Sequence, residues 1–121
     1  MLTKVPDDVL SLGMTLITGS RVVCNPPVED TDLDVVLYMP NTTPEHTDHI
    51  LRNLGFRSYG DYHPTEGNMF QSYRREHVNV IAVYSHPHFM AFDYATDVAA
   101  FLNVQAKEDR ITLFNLIQKY Y

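Results

Sequence analysis

Two short apolar runs place the strongest constraint on the fold of this 121-residue chain. Residues 33–38, LDVVLY, are apolar at all positions but one, which is typical of a strand buried on both faces. Residues 78–84, VNVIAVY, form a second predicted strand, with Val78, Val80 and Ala82 on one face. Because helical patterns lie between and after these strands, the sequence predicts a single α/β or α+β domain over residues 1–121.

The helical patterns carry signals for where helices begin and end. Thr43 is expected to be the N-cap of one helix, with Pro44 at its first position and Gly55 as its stop. The last helix is predicted over residues 107–120. The side chains expected to face the core are those of Ile111, Leu113, Phe114, Leu116 and Ile117. The other predicted elements are a helix over residues 6–14, a short strand at Leu16 and Ile17, a loop within residues 21–31, hairpin arms at 56–59 and 69–74, and a helix over 91–102.

The composition argues against several classes of protein. Nine Lys and Arg against fifteen Asp and Glu give a net charge of −6, which disfavours broad, non-specific binding to nucleic acid. No apolar run approaches the roughly 20 residues of a membrane span, and the first ten residues lack the apolar stretch of a signal peptide. The single cysteine, Cys24, cannot form an intrachain disulfide. Together these features predict a cytoplasmic protein that does not bind membranes.

The pattern that points to chemistry is Gly19-Ser20-Arg21 followed, after a loop, by Asp32-Leu33-Asp34. Two aspartates at i and i+2 on a strand point to the same face, and this strand then enters the core. Their carboxylates repel each other unless a divalent cation lies between them, and Mg²⁺ (or Mn²⁺) is the natural occupant. Gly19 and Ser20 permit a sharp turn whose hydroxyl and N–H groups can hold phosphate oxygens. Phosphate donors on one strand and metal ligands on the next are the parts that nucleotidyl transfer needs.

This arrangement resembles the signature of the DNA polymerase β-like nucleotidyltransferase superfamily, in its minimal single-domain type. The likeness covers residues 14–84, and the C-terminal pattern is similar to that of small phage-encoded nucleotidyltransferase-like proteins. The resemblance implies a mixed sheet of about four to five strands packed by helices. The residues that it assigns are Gly19 and Ser20, with Arg21 beside them, for the triphosphate, and Asp32 and Asp34 as catalytic residues that bind magnesium.

By the same resemblance, the expected activity is transfer of a nucleoside monophosphate from a nucleoside triphosphate to a hydroxyl, with release of pyrophosphate. One position departs from the family pattern. The superfamily usually has a third carboxylate on a later strand, and the corresponding position here is Asn79. Because asparagine orients a ligand but cannot take a proton, a second hypothesis stands beside the enzyme. It is a catalytically impaired module that binds a nucleotide or a protein partner. If the protein is phage-encoded, it would act in the host cytoplasm and the partner could be a host factor.

Four basic residues have two interpretations each. Lys107 and Arg110 share a face at i and i+3 of the last predicted helix, where they either contact a phosphate or pair with nearby surface carboxylates. Arg74 and Arg75 either help an acceptor to approach or are surface charges of the hairpin. A domain of this size has no obvious second lobe for an acceptor, so a partner protein or a homo-oligomer is a reasonable expectation.

Overall fold

The computed structural model of the protein describes residues 4–23, 32–59 and 70–120, without the side chains of Ser20, Arg21, Tyr59 and Tyr120. Strands alternate with helices in the first half, and two long helices end the described chain. The helices are α1 (Asp7–Leu10), α2 (Ser20–Val23), α3 (Pro44–Asn53), α4 (His86–Leu102) and α5 (Lys107–Tyr120). The strands are β1 (Met14–Thr18), β2 (Leu33–Tyr38), β3 (Arg57–Tyr59), β4 (Phe70–Arg75) and β5 (Val78–Val83).

The strands form one mixed sheet in the order β1-β2-β5-β4-β3. β2 runs parallel to β5, whereas β1 and β2, β4 and β5, and β3 and β4 form antiparallel pairs. The two apolar runs of the sequence are therefore neighbours inside the sheet, as expected of strands that are buried on both faces. This five-stranded mixed sheet packed by helices confirms the predicted fold class.

Helices cover both faces of the sheet. Val9 of α1 and Leu51 of α3 belong to the same core cluster as Val35 on one face. Phe92 of α4 packs in a second cluster around Val36, on the other face. Because Val35 and Val36 are consecutive in β2, their side chains point to opposite faces and each enters one of the two cores. None of the helices in the described residues has the length and apolar character needed to cross a membrane.

Two helices begin at side-chain caps that the sequence provides. Thr43 accepts a hydrogen bond from the His46 N–H at 3.1 Å, and Gly55, with φ at +91°, follows the end of the helix. These observations confirm the predicted bounds of α3. Ser85 accepts from the His88 N–H at 3.3 Å, so α4 begins at His86 rather than at the predicted residue 91.

The N-terminal segment differs from its prediction. α1 has only four residues, and Met14 begins β1 instead of ending a helix. Gly13 lies so close to the Tyr38 carbonyl that a Cβ would overlap it. The pairing of β1 with β2 begins at the next residue, Met14, which lies beside Tyr38. The turn after β1 continues as the short, unpredicted helix α2, while residues 24–31 of the predicted loop lie outside the described residues.

The bounds of α5 match the prediction, and Phe114 packs inward as predicted, but two other side chains of the predicted inward face do not. Ile111 and Leu116 are 51% and 54% exposed, so the prediction that both face the core was wrong. The stripe turned towards the sheet runs instead through Arg110, Phe114 and Gln118, which follow one another at intervals of one helical turn.

Candidate functional site

A row of polar side chains crosses the sheet at the beginning of β2. The register places Asp34 beside Thr18 of β1 on one side and beside Asn79 of β5 on the other. Asn79 in turn lies beside Arg74 of β4. Directly paired residues of neighbouring strands point to the same face, so these four side chains lie on the face that α4 and α5 cover.

Asp34 is held against the turn that follows β1. A Cβ built on Gly19 would overlap the Asp34 carboxylate, and Gly19 has φ at +81°, a left-handed conformation that favours glycine. On its other side, Asp34 accepts a hydrogen bond from the Asn79 amide at 2.9 Å. Asn79 therefore lies beside Asp34, in the strand next to β2.

Asp32 precedes β2 and forms an ion pair with Arg74. The His77 Nδ1 atom lies 3.7 Å from the other carboxylate oxygen of Asp32. The Asp32 side chain is 21% exposed and that of Arg74 52% exposed, so the pair lies at the rim rather than in the core. Arg74 thus supplies to Asp32 a positive charge that the sequence led us to expect from a metal ion.

The first turn of α5 adds positive charge opposite the aspartates. Lys107 and Arg110 both line the same cleft as Asp32 and Asp34, as the first of their two interpretations requires. Arg110 also donates to the carbonyl oxygens of Val104 at 3.3 Å and Gln105 at 2.6 Å, just before the helix. Both bonds come from Nη1, so they hold the guanidinium group of Arg110 at the junction between α4 and α5.

Three phenylalanines line the other end of the cleft. The rings of Phe70 and Phe92 pack edge to face with centroids 5.9 Å apart, and those of Phe92 and Phe114 with centroids 5.8 Å apart. They come from β4, α4 and α5, so this aromatic cluster exists only when the helices cover the sheet. Such a surface suits a flat, apolar group of a ligand.

The polar row, the α5 side chains and the aromatic cluster enclose one cleft of about 630 Å³, a volume typical of small-molecule sites. Three cationic and two anionic side chains line it, a local balance of about +1 in a chain whose net charge is −6. The cleft is lined by Thr18, Gly19, Asp32, Asp34, Phe70, Arg74, Asn79, Ile81, Phe92, Lys107, Arg110, Ile111, Phe114, Asn115 and Gln118.

Two amide oxygens at the cleft have no hydrogen-bond partner. Asn79 uses its amide nitrogen for Asp34, and its buried Oδ1 atom accepts no hydrogen bond. Gln118 donates from Nε2 to the His88 carbonyl at 3.4 Å, and its buried Oε1 atom is likewise without a partner. Because a buried acceptor without a partner is costly, these atoms indicate where donors of a ligand would be received.

Some of the predicted site lies beyond what the structure describes. Ser20 and Arg21 begin α2, but their side chains are outside the described set, so the predicted triphosphate contacts stay predictions. Among the residues that are described, no three His, Cys, Asp or Glu side chains gather into a metal-binding group.

Several site residues were missed by the sequence analysis. Arg74 was given a surface role as one of two interpretations, and only the alternation of β4 distinguishes it from Arg75 on the opposite face. Phe114 was predicted to face inward but was given no role in a site. The signal for Gln118 was present, because it continues the stripe of Arg110 and Phe114 along α5. Phe70 and Phe92 carried no comparable signal, since aromatic residues at such positions usually serve the core alone.

Comparison with protein-family models, with curated proteins and with solved structures finds no match for this chain.

Proposed function

We propose that this protein binds a nucleotide in the cleft between the sheet and α5. The observation that carries the proposal is that one cleft combines three cationic side chains at one end with an aromatic cluster at the other. A nucleotide has the same division, with anionic phosphates joined through a sugar to a flat base. In a chain with a net charge of −6, a local excess of cations favours an anionic ligand at this place.

The phosphates would lie near Arg74, Lys107 and Arg110. Arginine offers planar, paired N–H donors for phosphate oxygens, and lysine adds a compact positive charge. Gly19 supports this end of the site indirectly, because its lack of a Cβ lets Asp34 pack against the turn. The base would rest on Phe92 and Phe114, whose rings offer both faces and edges for contact.

Binding can be tested by thermal unfolding with the common nucleoside triphosphates at millimolar concentration. A ligand present at a hundred times its dissociation constant raises the free energy of unfolding by roughly 2.7 kcal/mol. Replacing both cations of α5, in Lys107→Gln/Arg110→Gln, should weaken binding at least tenfold. Lys119→Gln is the matched control, since Lys119 lies on the same helix but does not line the cleft.

No stabilisation by any triphosphate would overturn the proposal. Equal stabilisation of the wild type and the Lys107→Gln/Arg110→Gln variant would also contradict it, because the nucleotide would then bind elsewhere.

Nucleotidyl transfer is a second candidate, favoured by the presence of Asp32 and Asp34 in the same cleft as the cations. The donor set fits Mg²⁺, which typically takes one or two carboxylates and completes its coordination with phosphate oxygens and water. When bound, the ion would neutralise negative charge on the phosphates. Arg74 already pairs with Asp32, so Asp32 would have to exchange this partner before it could hold the ion.

Asn79 makes binding the better supported of the two functions. Its amide lies within hydrogen-bond distance of Asp34, where the superfamily that the sequence resembles has a proton-accepting carboxylate. A general base typically contributes roughly 10²- to 10⁴-fold in rate, and an amide contributes none of it. Asn79 can still orient a bound hydroxyl through its unpartnered Oδ1 atom.

The Asn79→Asp variant separates the two candidates. If the cleft retains an acceptor site, Asn79→Asp should raise transfer of label from an α-labelled triphosphate to hydroxyl acceptors by roughly 10² or more. Asn53→Asp makes the same chemical change on the exposed surface of α3 and should change nothing. Nucleotide binding without transfer in both the wild type and Asn79→Asp would reject the enzyme and leave the binding module.

A further inference from the structure

The two ends of the cleft differ in charge, and the spacing of residues along its walls gives the distance between them. On α5, Arg110 and Gln118 are eight residues apart, which corresponds to about 12 Å along the helix axis. On β4, Arg74 and Phe70 are four residues apart, about 13 Å along the strand. Both walls therefore run from a cationic end to an end formed by aromatic rings and amide side chains, over a length similar to that of an extended nucleoside monophosphate.

Gln118 is the buried polar group at the aromatic end, where the neighbouring Asn115 is exposed. Its side chain is buried, with the whole residue only 4% exposed. The amide orientation is fixed by its neighbour, because the His88 carbonyl is an acceptor and must face Nε2 rather than Oε1. The Oε1 atom then remains as an unpartnered acceptor in a wall that also includes Phe114, one helical turn earlier.

We infer that Gln118 selects nucleotides whose base carries an amino group, by accepting a hydrogen bond from that group at Oε1. This inference rests on the proposed nucleotide binding and makes it more specific. An amino group of a base such as adenine donates where the corresponding oxo group would present a second acceptor to Oε1. A site built to hydrogen-bond a substrate group rejects an analogue that lacks it, because its own polar atom is then left unpaired.

The surroundings favour readout of the base over contact with the phosphates. The cations that line the cleft lie on the first turn of α5 and on the far end of β4, whereas Gln118 lies in the last turn of α5. An amide oxygen also repels phosphate oxygens, since both are acceptors. The adjacent rings of Phe92 and Phe114 would hold the base, and Gln118 would determine which edge it presents.

The test compares ATP with purine riboside triphosphate, which has the same shape but no amino group. Calorimetric titration of the wild type should give an affinity for ATP higher by roughly 5- to 100-fold, the range of one buried hydrogen bond. In Gln118→Leu this ratio should fall to about one, through weaker ATP binding and unchanged binding of the analogue. Asn53→Leu, a comparable change from an amide to leucine at an exposed residue outside the cleft, should keep the wild-type ratio.

The ratio of the two affinities is insensitive to a merely structural role of Gln118, which would change both affinities together. Equal affinities in the wild type overturn the inference without any variant, while nucleotide binding itself stands. A ratio preserved in Gln118→Leu also overturns it, since another group must then read the amino group. If neither triphosphate binds the wild type, the inference fails together with the proposed function.

Discussion

The two faces of the sheet use their polar residues differently. On the face covered by α1 and α3, the Tyr73 hydroxyl donates to Asp48 at 2.7 Å, although the tyrosine is fully buried. Arg75 on that face donates to Asp8 at 2.5 Å and to the Leu54 carbonyl at 2.9 Å. On the face covered by α4 and α5, by contrast, the polar row opens into a cleft that charged and aromatic side chains line.

Arg74 and Arg75 are consecutive in β4 and illustrate this difference between the two faces of the sheet. Arg75 lies over the Phe56 ring at 4.4 Å and pairs with Asp8, so it closes the edge of a core. Arg74 points to the other face, where it pairs with Asp32 at the rim of the cleft. Arg75 is therefore bonded within the protein, while Arg74 lies at the cleft, where a ligand can reach it. Stability and binding are expected to depend on different faces.

The face covered by α1 and α3 is called the closed face below. The largest effect on stability is expected from a cavity in this face. Leu51 is fully buried, so Leu51→Ala should lower the free energy of unfolding by roughly 2–5 kcal/mol. Ile111→Ala makes a similar truncation at the cleft, where the side chain is 51% exposed, and should change that free energy by less than about 1 kcal/mol. Urea denaturation measures both, and equal losses would contradict the proposed difference between the faces.

A pair of arginine variants provides a matched test of intermediate size. Arg75→Ala should lower the free energy of unfolding by roughly 1–3 kcal/mol, because it leaves Asp8 and the Leu54 carbonyl without their donor. Arg74→Ala should change it by less than about 1 kcal/mol, since the ion pair with Asp32 is largely exposed.

For ATP affinity the order of the two variants should be reversed, with the larger effect in Arg74→Ala. Without Mg²⁺, Arg74→Ala should weaken ATP binding by roughly threefold to tenfold through the loss of a cation at the cleft. Arg75→Ala should leave ATP affinity unchanged in the fraction that remains folded. Weaker binding in Arg75→Ala than in Arg74→Ala would show that the faces are not independent.

The smallest expected effect is a loss of stability at alkaline pH that comes from the closed face. Burial raises the pKa of Tyr84 to about 12, and burial together with the hydrogen bond to Asp48 raises the pKa of Tyr73 still further. In the unfolded chain a tyrosine ionises near pH 10, so the unfolded state loses protons first. The stability from these tyrosines is complete below about pH 10 and declines as the pH rises through about 12.

Urea denaturation between pH 8 and pH 11.5 measures this decline. Tyr73→Phe should reduce the slope of the free energy of unfolding against pH above about pH 10, because one raised pKa has been removed. Tyr94→Phe, at an exposed tyrosine, is the control and should keep the wild-type slope. A slope unchanged by Tyr73→Phe would contradict the assignment of the effect to the closed face.

Much of the fold could be predicted from short stretches of sequence. β2 and α5 have the predicted bounds, and Thr43 caps α3 as expected, because these features depend on residues within one or two helical turns. The errors occurred where distant residues intervene. Met14 joined β1 because Gly13 approaches Tyr38, twenty-five positions further along the chain.

The candidate site, like the fold, could be predicted from the sequence only in part. The sequence marked Gly19, Asp34 and Asn79, and the structure brings these three side by side. It offered no reason to choose between two roles for Arg74, because the face that a hairpin residue occupies depends on the register of its strand. Gln118 was not marked at all, since an isolated amide gains meaning only from the atoms that surround it.

The amino-acid sequence by itself determined the order and nature of the main elements, because hydrophobic periodicity and helix caps act between residues close in the chain. Only the tertiary structure decided which side chains share the cleft. The row from Thr18 to Arg74 depends on the register of four strands, and the facing row on α5 depends on how that helix packs against α4 and the sheet. Both are set by contacts between residues tens of positions apart, where short-range patterns carry no information about distance or direction.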